Sequence, residues 1–416
     1  MNRLRAWAET IAFEDFVLPT LLLLLVFSTN NKLIFYMKAL TWFLLFAIIF
    51  FAIASGRKTS RPSPVKYLFY GFVLLVIASY GYTTGQAALR DYLPYLLAGT
   101  LFLFFEFDDD FFPHLFFFFE ILFWVFIGSM YLELISPELF RRLFSFLSLG
   151  NSLVVRVDGQ LAIAGLAFEK GYAAFLCNMG LGVLFARIFS GRLTPSLAIQ
   201  VVVVFAALMM TGKRTLFLIP LFGVLAFILL FARSHKVITA IAVALAVSLL
   251  LFVAYAFVPQ VSLVFDRFLA DNGDPLSGRE VFWTYAIQMF LASPLIGMGF
   301  LSFNEYTNSQ GFLYYGEPWT FQAHNVYIQV LAELGAVGLI LFVSMLLFLL
   351  FGLAATARSS RSVYVLAAFY WALLIAVYSL TGNTIYYACQ LFVLVITIAI
   401  YLKYGARRGG TFAAVG

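Results

Sequence analysis

Three side chains in this chain are suited to holding an anion and moving a proton. His324 stands in QAHNVYIQVLAELGAVG, just where a polar stretch turns apolar. An unperturbed imidazole titrates at about 6.5, so it can take a proton near neutrality. Arg214 opens the apolar run RTLFLIPLFGVLAFILLF, and Arg279 stands in SGREVFWTYAIQMF. A guanidinium stays charged and pairs bidentately with phosphate oxygens. Lys213 and Arg267 are the next candidates for the same work. Each residue also has a plainer reading: an arginine can snorkel to a membrane interface, and a histidine at a helix start can simply meet backbone or solvent. Asn325, Gln329 and Glu333 follow His324 at i, i+4 spacing and make a polar stripe on one helical face.

The elements that must position these groups are apolar. Of 416 residues, 63% are hydrophobic and 11% charged, against roughly 25% charged in soluble proteins. The composition reads as a polytopic membrane protein of the all-α class. Apolar runs near the length that crosses a bilayer fall at about 16–28, 33–54, 67–83, 88–105, 114–135, 166–188, 196–210, 215–231, 237–258, 325–355, 363–380 and 385–402. We expect about twelve transmembrane helices in one domain, 1–416, with a large loop subdomain, 259–324, between the ninth and tenth. The first run reads as a retained span because no cleavage-like site follows a short apolar core. A polar stripe that enters a bilayer with His324 should face protein interior or a water-filled cavity.

Charge placement sets orientation. With the N-terminus in the cytoplasm, most Lys and Arg fall on the inside, both termini lie inside, and the two larger polar segments, 136–160 and 259–324, lie outside. Arg90, Arg141, Arg142, Arg156, Lys213, Arg214, Arg267 and Arg279 then sit outside against the rule. Such cations invite an anionic partner, either a phosphorylated ligand or lipid head groups. The net charge of +6 is spread over short loops and signals no nucleic acid.

Local patterns add detail. Ser277–Glu280 reads as a capping box that starts a helix of about 15 residues stopped by Pro294. Such a helix is too short to span, and lies in the interface plane or packs within the loop. PLIGMGF reads as a flexible turn. Glu120 and Lys38 interrupt apolar spans, where structural pairing is expected before a proton relay. His114 and His235 read as loop residues. FDDDFF lacks a second acidic cluster, and Cys177 and Cys389 lack any CxxC spacing, so no metal site or cofactor is indicated. A nucleotide-binding GxxxxGK[ST] pattern is absent from the sequence.

SGREVFWTYAIQMFLASPLIGMGF followed by AHNVYIQVLAELGAVGLILF resembles the core of the O-antigen ligase and polymerase superfamily of bacterial inner-membrane proteins. Arg279, Pro294, Leu295, Gly297, Gly299, His324, Asn325, Glu333 and Gly335 carry the pattern, and TGKRTLFLIPL is similar to an upstream helix start, with Arg214 at its arginine. AFEKGYAAF departs from the Pro-Asn pair common there, which leaves Glu169 and Lys170 without a carried-over role. The resemblance implies a GT-C-like fold and an active site at the periplasmic face. It implies a glycan donor on undecaprenyl diphosphate, membrane lipid around it, and no metal. The acceptor is lipid A-core oligosaccharide for a ligase or a further glycan unit for a polymerase.

For that chemistry His324 is the expected general base, and Arg279 and Arg214 the expected diphosphate binders. Arg267, Lys213, Asn325, Glu333, Arg156 and Arg90 are further binding candidates. The short 136–160 segment favours the ligase. A secondary transporter or lipid flippase ranks below both, because the charges collect at one rim and no internal repeat is visible.

Overall fold

Apolar runs become helices because a chain leaving water must satisfy every backbone polar group within its own segment. The computed structural model describes residues 16–27, 39–49, 58–147, 155–157, 160–231, 279–312 and 322–405. In chain order the helices are α1 (Leu18–Phe27), α2 (Ala39–Ile49), α3 (Pro64–Ser79), α4 (Gln86–Phe104), α5 (Phe111–Ile135), α6 (Pro137–Phe144), α7 (Lys170–Phe189) and α8 (Pro195–Met210). They continue with α9 (Arg214–Phe231), α10 (Arg279–Ala292), α11 (Phe303–Ser309), α12 (Val326–Ser360), α13 (Val363–Tyr378) and α14 (Ala388–Tyr404). Strands β1 (Val155–Val157) and β2 (Gln160–Ala162) form a small antiparallel pair.

Among the described residues, α5, α7, α9 and α12 are long and apolar enough to cross a membrane, and six shorter helices are apolar too. The helical boundaries lie close to those read from hydropathy. The expected ninth span, 237–258, lies outside the described residues, as do Arg267, Lys38, His235 and both ends of the chain. His114 is a correction: it sits in the first turn of α5, not in a loop. Pro113 beside it is tolerated there, because first-turn N–H groups have no intrahelical partner. Glu120 pairs with Arg187 of α7, the structural pairing expected for it.

Helix α7 is buried almost all round and packs against α8, α9 and α13. One buried polar group ties three of these together. Pro220 inside α9 has no N–H to offer the Leu216 carbonyl one turn earlier. Asn178 of α7 donates to that carbonyl at 2.9 Å, and its own oxygen accepts from the Tyr370 hydroxyl of α13 at 3.0 Å. The proline's loss is thereby made good, and the start of α9, with Lys213 and Arg214, is held against α7.

The second organising contact is a backbone clasp on α12. That helix breaks at Gly335, where φ is +65° and ψ −165°. The loop after α10 lies along the break. Met298 and Gly299 N–H donate to the carbonyls of Ala332 and Glu333 at 3.2 and 2.8 Å, and Ala336 and Val337 N–H donate to those of Pro294 and Leu295 at 2.9 and 3.2 Å. A Cβ at Gly297 would stand 2.2 Å from the Glu333 backbone, and one at Gly335 2.3 Å from the Leu295 carbonyl. Both residues have positive φ, so only glycine meets both demands. PLIGMGF is therefore clamped to α12, which corrects its reading as a flexible turn.

The Glu333 side chain, fully buried, completes the clasp. It accepts from Leu301 N–H at 2.9 Å, Phe303 N–H at 3.2 Å, Gln329 Nε2 at 3.1 Å and the Tyr386 hydroxyl at 2.9 Å. Gln329 and Glu333 thus turn into the protein interior, as a polar stripe in an apolar helix requires. Helix α10 packs on the start of this region through Ala286 and Met289, against Phe303, Ala323 and Ala332. Replacing Glu333 with alanine strands two backbone donors at about 1–3 kcal/mol each. We expect Glu333→Ala to lose on the order of 3 kcal/mol and to lower the apparent unfolding temperature. Glu333→Gln, which keeps one acceptor oxygen, should lose less. An alanine variant that melts with the wild type would remove the carboxylate's structural role.

Candidate functional site

The site begins with three turns, each held by a neighbouring helix. Glu133 of α5 accepts from Ala164 and Gly165 N–H at 3.0 and 2.7 Å, and Ser129 accepts from Leu166 N–H at 2.9 Å. These bonds fix the turn that delivers Glu169, whose carboxylate caps α7 by accepting from Gly171 and Tyr172 N–H at 2.8 and 2.6 Å. Lys213 is set by the α7–α9 tie through Asn178. His324 is set by α10 and α12: Trp283 Nε1 donates to the Ala323 carbonyl at 2.9 Å, and Asn325 caps α12 by accepting from Ile328 N–H at 3.2 Å. Between them His324 is forced to a φ of +52°, a left-handed conformation that an L-residue keeps only when its surroundings impose it.

These turns surround a cavity of about 310 Å³ lined by Glu169, Lys213, Arg279, His324, Tyr378, Thr381, Asn383, Tyr387 and Gln390, among others. Arg279 enters from the first turn of α10. Arg214 is not on the lining, yet its charge reaches Arg279. A Cβ at Gly171 would lie 3.0 Å from both Glu169 carboxylate oxygens and 3.1 Å from Lys213 Cε, so the acid and the ammonium stem share one wall. Buried polar atoms without a partner also border the cavity: Thr381 Oγ1, Asn383 Oδ1 and Gln390 Oε1. Buried polar atoms are nearly always satisfied, and a hydroxyl-rich ligand is the chemistry that would satisfy Thr381 and Gln390.

The electrostatics follow from this crowding. The His324 ring is exposed to the cavity, but the walls hem it in. Burial, then the charges of Arg279 and Lys213, push its imidazole down to about 4. It is therefore neutral at pH 7 and able to accept a proton, though weakly basic while the cations stand unopposed. Burial likewise lowers Arg279 from the usual arginine value; Tyr378 opposes the shift and Arg214 adds to it. An anion among these cations would reverse the second effect and raise the histidine. The cavity thus brings Arg279 and Lys213 together around His324, with the Glu169 carboxylate on the Lys213 wall and phenols and amides on the others.

A family model described as O-antigen ligase matches residues 199–343 of the chain. Exopolysaccharide production protein ExoQ of Rhizobium meliloti (strain 1021) is 31% identical over 105 residues, which is 24% of this chain and 24% of that protein. Over residues 199–343 the chain is similar to the O-antigen ligase family. The aligned part is about a quarter of ExoQ's own length.

Set against the superfamily motifs, the candidate residues separate into groups. His324, Arg279 and Lys213 meet in the cavity, with Arg214 beside them. Asn325 and Glu333 are engaged in holding backbone, the one as a helix cap and the other in the clasp. Arg90 is exposed on α4 and is not on the cavity lining. Arg156 lies on β1, where only the backbone is described, and Arg267 lies outside the described residues. Glu169, Thr381, Asn383, Tyr387 and Gln390 line the cavity without having been singled out for it from the sequence. Asn383 and Gln390 carried a usable signal, being amide side chains in the largely apolar stretch 363–402.

The charge balance is open to direct measurement. In ¹⁵N-histidine spectra His324 should stay neutral well below pH 6 and titrate near 4. Inorganic pyrophosphate should raise that midpoint, because it offsets the neighbouring cations. A midpoint insensitive to pyrophosphate would mean that the three groups do not share one anion site.

Proposed function

We propose that this chain is a glycosyltransferase of the bacterial inner membrane. In this reading it passes a glycan from undecaprenyl diphosphate to lipid A-core oligosaccharide at the periplasmic face. The observation that carries the proposal is the convergence of an imidazole, a guanidinium and an ammonium in one cavity whose other walls offer polar groups to a sugar. Both termini are then cytoplasmic, and the 259–324 segment is periplasmic.

The chemistry follows from the leaving group. As the bond between the anomeric carbon and the phosphate oxygen breaks, negative charge grows on the diphosphate. Arg279 and Lys213, with Arg214 behind them, are fixed charges aimed at that oxygen cluster and need no reorganisation. This lets the protein's own cations do what a metal ion does in other phosphate chemistry. The donor's charge in turn raises His324 from its depressed value toward the range where a base works at neutral pH. The acceptor hydroxyl then loses its proton to the imidazole as its oxygen bonds to the anomeric carbon. Binding of donor and readiness of the base are coupled by simple Coulomb attraction.

A second reading, a polymerase that adds the glycan to another repeat unit, shares every step except the acceptor. It is favoured by the relative named for exopolysaccharide production. Deleting the gene in its source bacterium and running a lipopolysaccharide gel separates the two. Loss of a ligase leaves bare core with lipid-linked glycan accumulating, whereas loss of a polymerase leaves core bearing a single unit.

With purified protein, His324→Ala should cut the transfer rate about 10²–10⁴-fold while donor affinity stays near that of the wild type. Arg279→Ala and Lys213→Ala should weaken donor binding instead. Undiminished transfer by the histidine variant, or unchanged donor affinity in both cation variants, would contradict the assigned roles.

A further inference from the structure

The imidazole of a general base must present a bare nitrogen, and a neutral ring has only one. In the structure Asn383 Nδ2 stands 3.3 Å from His324 Nδ1, and Asn383 Oδ1 is buried without a partner. In that amide orientation Nδ2 donates to the Nδ1 lone pair, which puts the ring proton on Nε2. Neither nitrogen can then take a proton from a substrate. A half-turn about the Asn383 Cβ–Cγ bond exchanges the two amide atoms. It gives the orphaned oxygen the Nδ1 proton to accept, and it leaves the Nε2 lone pair open.

We propose that Asn383 is a positioning residue for His324, its side-chain carbonyl accepting the Nδ1–H and holding the ring in the tautomer whose Nε2 is bare. This rests on the reading of His324 as the base. The backbone on both sides of the contact is fixed, as such a role requires. The loop carrying Asn383 is fastened by the Ser379 carbonyl accepting from Val326 N–H at 2.8 Å and by the Ser379–Thr384 hydroxyl contact at 2.6 Å. Tyr386 binds Glu333 at 2.9 Å, and the Tyr92 hydroxyl donates to the Ile385 carbonyl. His324 is held by the bond from Trp283 to Ala323 and by the α12 cap.

Proton accounting is closed. The acceptor O–H gives its proton to Nε2 as its oxygen bonds to the anomeric carbon. The carbon–phosphate oxygen bond breaks, and the lipid diphosphate leaves with that electron pair. The imidazolium carries protons on both nitrogens, Asn383 stays neutral and takes none, and the ring returns its proton to water. A neutral amide sets the tautomer without adding charge to a site already governed by Arg279 on α10, Lys213 ahead of α9 and Glu169 ahead of α7. Tyr172 in the first turn of α7, Tyr378 at the end of α13, and Tyr387 and Cys389 at the start of α14 are the other titratable groups on the lining.

The chain has three histidines, so ¹⁵N-histidine labelling of the full-length protein in lipid, with His114→Gln and His235→Gln for assignment, isolates His324. Above its titration midpoint the wild type should show protonated Nδ1 and bare Nε2. Asn383→Ala should shift the ring toward the Nε2–H form and slow transfer about 10- to 100-fold, the usual effect of losing an orienting partner, with donor KM unchanged. Asn383→Asp, whose carboxylate still accepts from Nδ1, should keep most of the rate and move the acid limb of the pH profile upward. A wild-type ring protonated on Nε2, or an alanine variant with unaltered tautomer or rate, overturns the proposal. If His324→Ala transfers as well as the wild type, the base assignment fails separately, and the tautomer measurement still judges Asn383.

Discussion

The structure depends on one buried carboxylate. Glu333 holds two backbone N–H groups of the segment after the clamped loop, an amide of its own helix and a phenol from the C-terminal loop. Three of those four bonds join segments that are far apart in sequence at the point where α12 is broken. A carboxylate is suited to this because it accepts from several directions at once, and an apolar residue there would strand every donor. Two glycines allow the backbones to touch, and the acid locks them once they do. That lock works with the bond from Trp283 to the Ala323 carbonyl to fix the distance between α10, which carries Arg279, and the turn that carries His324.

The cavity inherits its properties from this frame. Its cations come from helix starts, where the chain has just left or is about to enter an apolar stretch, so they cannot retreat far from one another. They hold a histidine neutral, and they keep it a poor base until an anion arrives. In the proposed reaction the same arrangement would leave the imidazole little tendency to take a proton before the donor's anion is bound. Glu169 adds a counter-charge on the wall it shares with Lys213 and is held there by its grip on the first N–H groups of α7.

Much of this was legible in the residues themselves. Helix positions followed from apolar runs, because a bilayer-scale run has few ways to satisfy its backbone. His324 and Arg279 stood out by type and context, and the i, i+4 stripe after His324 announced a face turned away from lipid. What periodicity could not show was the break at Gly335. Leu334 and Ala336 on either side read as ordinary helix, and the break is imposed by Pro294 and Leu295, some forty residues earlier. For the same reason PLIGMGF looked loose, since the partners of its N–H groups lie in another segment. Asn383 escaped notice because its meaning depends on one distance to a residue fifty-nine positions away. Glu333 is a binding candidate in the sequence through the polar stripe and the family pattern, and three of the four groups its carboxylate holds come from segments that the sequence alone does not bring together.

The lining of the cavity runs from Glu169 to Gln390, over half of the chain. Its last contributions, Asn383 and Gln390, sit on the turn before α14 and on α14 itself. During synthesis the arginine and histidine elements therefore reach the membrane before the wall that confines them exists, and Glu333 waits for Tyr386. A chain that stopped before residue 383 would therefore lack the wall that Asn383, Tyr387 and Gln390 give the cavity.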